Sequence, residues 1–156
     1  MLKRNENTYT WRSLMARIVF EIPINAPAAA IVEVVDTEKG IAGWWTPTVQ
    51  FAGGAGSVMR PSFAQAPVPF ELTVDEVSDS TVRWTSSGSF PPHWAGTTIT
   101  WTLTGNQGGT TVHFSHDGWA GADGLFPSAA LTWGRLMDSL KQYVETGSGM
   151  PLPGGG

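Results

Sequence analysis

The chain has 156 residues, a net charge of -4 and no cysteine. A chain of this length reads as one domain, burying about 68–70% of the surface its unfolded form exposes. The missing cysteine excludes a disulfide scaffold, a thiolate metal site and a cysteine nucleophile, and points to a reducing compartment, the cytoplasm. From residue 18 onward five basic side chains face twelve acidic ones, which leaves no electrostatic footprint for nucleic acid or an anionic lipid surface. No apolar run approaches the ~18 residues of a membrane span, and the basic start is not followed by the apolar core of a secretory signal. The oddity is tryptophan: eight residues, each a large ring to bury and an indole N–H to satisfy.

Residues 1–15 are polar and patternless and are expected to be a disordered tail, with Trp11 outside the domain. From Arg17 the pattern alternates as a strand, with Ile18, Phe20 and Ile22 on one face and Val19 and Glu21 on the other. Pro27 suits a first helical position, and 28–36 reads as a short helix buried through Ala30, Ile31, Val34 and Val35, followed by a second helical turn over 38–45. Six strands are then predicted at 48–52, 56–63, 70–77, 81–86, 97–105 and 110–117. Tight-turn segments such as Gly53-Gly54-Ala55-Gly56 and Asn106-Gln107-Gly108-Gly109 separate them, as in an antiparallel meander.

Thr98, Thr100, Thr102 and Thr104 share one face of the penultimate strand, and Ile99, Trp101 and Leu103 the other. In the last strand Val112, Phe114 and His116 face one way and Thr111, His113, Ser115 and Asp117 the other. One face is therefore wet and one covered. The cover is a long C-terminal helix with Phe126, Ala130, Trp133, Leu136, Met137, Leu140, Tyr143 and Val144 at helical spacing and Gly147 as its C-cap. The domain thus runs over 16–147, and the proline- and glycine-rich residues 148–156 are expected to be a flexible tail. A curved antiparallel sheet of six or seven strands gripping one long helix leaves space between them, so an internal cavity follows from the architecture.

Several segments together resemble the SRPBCC (START-like) superfamily, and within it the bacterial branch similar to the activator of the heat-shock-protein-90 ATPase. They are Phe20-Glu21-Ile22-Pro23-Ile24-Asn25-Ala26-Pro27, Gly43-Trp44-Trp45-Thr46, Thr81-Val82-Arg83-Trp84, the run from Trp94 to Trp101, the run from Gly109 to Trp119 and that from Trp133 to Gly147. The resemblance covers about residues 16–151 and implies an α+β helix-grip fold with a hydrophobic cavity. It also implies three roles known in the superfamily: binding of lipids, hormones or polyketides, cyclisation or dehydration within the cavity, and stimulation of a chaperone ATPase.

The residues themselves offer few catalytic groups. His116, on the covered face near a strand end, could orient a ligand or act as acid or base in a cofactor-free cyclase or dehydratase; the alternative is a core histidine bonded to backbone or to a neighbouring Trp or Asp. His113 and His116 fall on opposite strand faces with no third ligand nearby, so no metal site is expected. His93 sits in a loop, either at a cavity mouth or simply in solvent. Arg60 shares parity with Val58 and is either a carboxylate anchor pointing inward or a solvated charge. Nucleophile-elbow, P-loop and dinucleotide patterns are missing, and no cofactor is implied. Trp84, Trp101, Phe114, Phe126 and Trp133 are the expected apolar walls for a small hydrophobic or aromatic ligand, with His116 and Arg60 as polar anchors. Ligand binding is thus the leading expectation, the enzyme and an interaction module its alternatives, and the acidic surface is compatible with a homodimer.

Overall fold

A computed structural model describes residues 16–155. Residues 1–15, expected to be a disordered tail and containing Trp11, lie outside the described residues. Strand β1 (Ala16–Ile24) leads into helices α1 (Ala28–Val35) and α2 (Glu38–Trp44). Strands β2 (Val49–Gln50), β3 (Val58–Pro61), β4 (Leu72–Val77), β5 (Thr81–Ser86), β6 (Thr98–Asn106) and β7 (Gly109–Trp119) follow, and helix α3 (Phe126–Thr146) closes the fold. The seven strands form one antiparallel sheet in the order β1-β7-β6-β5-β4-β3-β2. Two short helices after the first strand and a long C-terminal helix across an antiparallel sheet make this the α+β helix-grip arrangement that the sequence implies.

Alternation fixes the register. Ile18, His116, Ile99, Trp84 and Val74 stand opposite one another across five strands, and Phe20, Phe114, Trp101 and Val82 form the next row. Both rows face α3, which buries Trp133, Leu136, Met137 and Leu140 against them. The opposite face carries Thr98, Thr100, Thr102 and Thr104 and a surface ion pair of Arg17 with Asp117 at 2.6 Å. Helix α3 ends where Gly147 adopts the left-handed conformation at φ 84°, which costs glycine nothing because it has no Cβ.

Seven tryptophans fall among the described residues, and all are buried. Trp44, Trp45, Trp84, Trp101 and Trp133 fill the space between sheet and helix, with ring centroids 5.3–6.5 Å apart in stacked, tilted and edge-on pairs. Such pairs add about 0.5–1.5 kcal/mol each beyond the area they bury.

The tail is where the chain departs most from expectation. Residues 149–155, expected to be free, are docked as a strap. The amide of Met150 donates to Ser139 Oγ at 2.7 Å, that of Leu152 to the Trp45 carbonyl at 2.7 Å, and that of Ala64 to the Pro153 carbonyl at 3.0 Å. Gly149 permits the approach: a Cβ there would stand 2.5 Å from the carbonyl oxygen of Gly43. Low apolar content suggests disorder, but backbone hydrogen bonds and the single side chain of Leu152 hold the strap, and neither shows in composition.

Candidate functional site

A cavity of about 310 Å³ opens at the end of the molecule where five segments converge. Trp45, just beyond α2, forms its floor with Trp133 of α3, and Phe63 and Phe70 from the β3–β4 connection form one side. The β5–β6 connection contributes His93 and Trp94, and the strap contributes Leu152 and Pro153. The first turns of α3 supply Leu125, Ser128, Ala129 and Thr132. The walls are thus almost wholly apolar, with polar atoms at a few points, the composition of a small-molecule site.

The β5–β6 connection is held rigidly. The amide of Ser86 donates to the Thr97 carbonyl and that of Gly96 to the Ser86 carbonyl, both at 2.9 Å, closing residues 87–96 into a loop. Within it the amide of Trp94 donates to the Pro91 carbonyl at 3.0 Å, which turns the Trp94 ring inward. Trp94 and Trp133 then lie 5.9 Å apart and within 23° of parallel. Trp45 stands 6.5 Å from Trp94 at 21°.

His116 sits behind this pair, fully buried, its ring 4.7 Å from that of Trp94. The indole Nε1–H of Trp133 donates to His116 Nδ1 at 3.0 Å. An indole nitrogen can only donate, so Nδ1 is the acceptor and the imidazole proton is on Nε2. Nε2 therefore donates to Thr97 Oγ1 at 2.8 Å, and the Thr97 hydroxyl donates in turn to the Trp94 carbonyl at 2.6 Å. Both imidazole nitrogens, the Trp133 indole N–H and the Thr97 hydroxyl proton are thus engaged. Burial lowers the His116 pKa to about 3, with His93 nearby acting in the same direction, so the ring is neutral at physiological pH.

Of the residues singled out in the sequence, Trp133 lines the cavity. Trp84, Trp101 and Phe114 are fully buried in the sheet–helix core, where Phe114 lies 4.6 Å from Trp133 and Trp101 5.6 Å from Trp84. Phe126 packs edge-on against Trp119 at 5.3 Å and is not among the lining residues. His116 belongs to the hydrogen-bonded core, the second of its two readings. Arg60 takes the solvated reading: it is exposed on β3 and its Nε donates to Glu71 at 3.1 Å, whereas Met59 and Pro61 turn inward. His113 is exposed beside Glu21, at 3.2 Å, on the face opposite His116. His93 is both exposed and part of the cavity wall. Phe63, Phe70 and the strap are walls that the sequence does not mark, because they lie on connections where no periodicity marks a face.

The sheet, the long helix and the cavity at their junction define a helix-grip protein of the SRPBCC (START-like) superfamily. The chain belongs to the family described as Activator of Hsp90 ATPase homolog 1-like protein, whose pattern matches residues 25–145. It is similar to the Aha1 dimer of Colwellia psychrerythraea, with 29% identity and a TM-score of 0.77 over 86% of this chain and all of that one. DynU16, from the dynemicin biosynthetic locus, shares the fold at 23% identity and a TM-score of 0.69 over 85% of this chain and 48% of its own. KanY shares it at 22% identity and a TM-score of 0.63, over 85% of this chain and 97% of its own. No curated protein matches the sequence significantly. Among the described residues no helix is long and apolar enough to cross a membrane.

Proposed function

We propose that the protein binds a small hydrophobic or aromatic molecule in the cavity at the end of the helix grip. The observation that carries this reading is a space of about 310 Å³ walled by Trp45, Phe63, Phe70, Trp94 and Trp133 and opening to the surface beside Gln65, His93 and Leu125. Apolar walls of this extent exposed to water favour an apolar ligand that covers them. Its volume falls at the lower end of ligand sites, about 300–1,000 Å³. Binding is favoured over a cyclase or dehydratase acting through His116, because both nitrogens of that ring are engaged within the protein. The cysteine-free composition suits work in the cytoplasm.

Calorimetric titration with 2-naphthol tests the reading. The wild-type protein binds it, and Ala129→Trp, which places a ring on the α3 wall, weakens binding at least tenfold, roughly the loss of one buried ring's contacts. Equal affinity of the two proteins would place the ligand elsewhere. A homodimer is the second reading, favoured by the likeness to the Colwellia Aha1 dimer, and sedimentation equilibrium decides it.

A further inference from the structure

The cavity's charge goes further than its shape. Fifteen residues line it, and none is Asp, Glu, Lys or Arg. The polar points are Gln65, His93, Ser128 and Thr132. Ser128 Oγ already donates to the Leu125 carbonyl at 3.0 Å. Gln65, His93 and Thr132 remain to answer a ligand's polar group, and each offers a neutral donor or acceptor. Partial burial holds the His93 pKa below its ordinary value of 6.5, so at neutral pH this ring too is uncharged. Arg60 and Glu71, the nearest ion pair of the β3–β4 region, border a separate recess with Gly88 and Phe90 and neutralise each other.

Size narrows the class. A dry apolar cavity of about 150 Å³ takes one benzene ring, so a cavity of about 310 Å³ has room for two fused rings. Trp94 and Trp133, 23° from parallel, both line that space, and their ring surfaces favour a flat molecule laid against them.

We propose, building on the binding reading above, that the cavity selects an uncharged, flat, two-ring aromatic molecule carrying one hydrogen-bonding group, and rejects the corresponding carboxylate. The rejection has a simple cause. A carboxylate entering an apolar site loses its hydration and meets no cation there, a cost far above that of a hydroxyl that finds Thr132 or Gln65.

Calorimetry with 2-naphthol and 2-naphthoate at neutral pH, on the full chain, tests the proposal. The phenol binds, and the carboxylate, ionised under these conditions, binds about 30-fold more weakly or not at all. Gln65→Lys, at an exposed position, supplies the missing cation and raises naphthoate affinity, taken as its ratio to naphthol affinity, about tenfold. Wild-type affinities within about threefold of each other would overturn the charge selection and leave the binding reading standing. Failure of Gln65→Lys to improve naphthoate would also count against it. Binding of neither probe would overturn both.

Discussion

Trp133 and His116 are joined by a buried hydrogen bond of 3.0 Å from the indole Nε1–H to Nδ1, and this bond separates the cavity from the core behind it. On one side Trp133 is a cavity wall; on the other it is tied through His116 and Thr97 to the backbone of Trp94, whose ring stacks beside it at 5.9 Å. The two rings, already in stacked contact, are thus also linked by one chain of hydrogen bonds.

That role predicts a structural phenotype for His116. His116→Leu leaves the Trp133 N–H and the Thr97 hydroxyl short of a partner in a dry interior and destabilises the protein by about 2 kcal/mol or more, whereas Thr97→Val costs about 1 kcal/mol. Urea denaturation measures both. Affinity for 2-naphthol under native conditions stays within about threefold of wild type; loss of binding in a folded His116→Leu protein would give the ring a direct part in the site.

The same histidine sets a pH dependence. Burial holds its pKa at about 3 in the folded protein against an ordinary value of 6.5, so the unfolded chain binds the proton more readily. Its contribution to stability is complete above pH 6.5 and is lost as the pH falls towards about 3, at a slope of up to about 1.4 kcal/mol per pH unit. The difference in unfolding free energy between wild type and His116→Gln, measured from pH 7 down to pH 4, should shrink or reverse as acid is added. A constant difference would show that His116 is not the titrating group.

The strap is expected to behave as a removable wall. Gly149→Ala places a Cβ 2.5 Å from the Gly43 carbonyl oxygen and 3.1 Å from that of Ser139, backbone atoms that cannot step aside. Hydrogen exchange at the Leu152 and Ala64 amides, which bond to Trp45 and Pro153, should quicken by at least about tenfold while the β6 and β7 amides keep their protection. Affinity for 2-naphthol falls with it, because Leu152 and Pro153 form part of the cavity. Unchanged exchange at Leu152 would mean that the strap tolerates the extra methyl group.

Much of this was legible in the sequence where side chains repeat. The alternation of Ile99, Trp101 and Leu103 against Val112, Phe114 and His116 marks both inner faces correctly, and the stripe from Phe126 to Val144 with Gly147 beyond it marks the helix. Periodicity says which way a residue points and not what it meets. It places His116 inward, but that Trp133 and Thr97 engage both of its nitrogens is a matter of three elements meeting. Parity also misdirects on short strands: Arg60 shares it with Val58, yet β3 spans only Val58–Pro61 and turns Met59 and Pro61 to the core. Rings from Trp44, Trp84 and Trp101 occupy the space between sheet and helix, so the open volume moves to the end, where connections carrying Trp45, Trp94 and Leu152 converge.

The central claim, that this end cavity receives the ligand, is tested most directly by following the tryptophan indole N–H resonances during a titration with 2-naphthol. Trp45, Trp94 and Trp133 should shift together and saturate at one common affinity, with Trp44 and Trp101, fully buried in the core, moving far less. Saturable shifts confined to other residues, or no shift at Trp94 and Trp133, would contradict it.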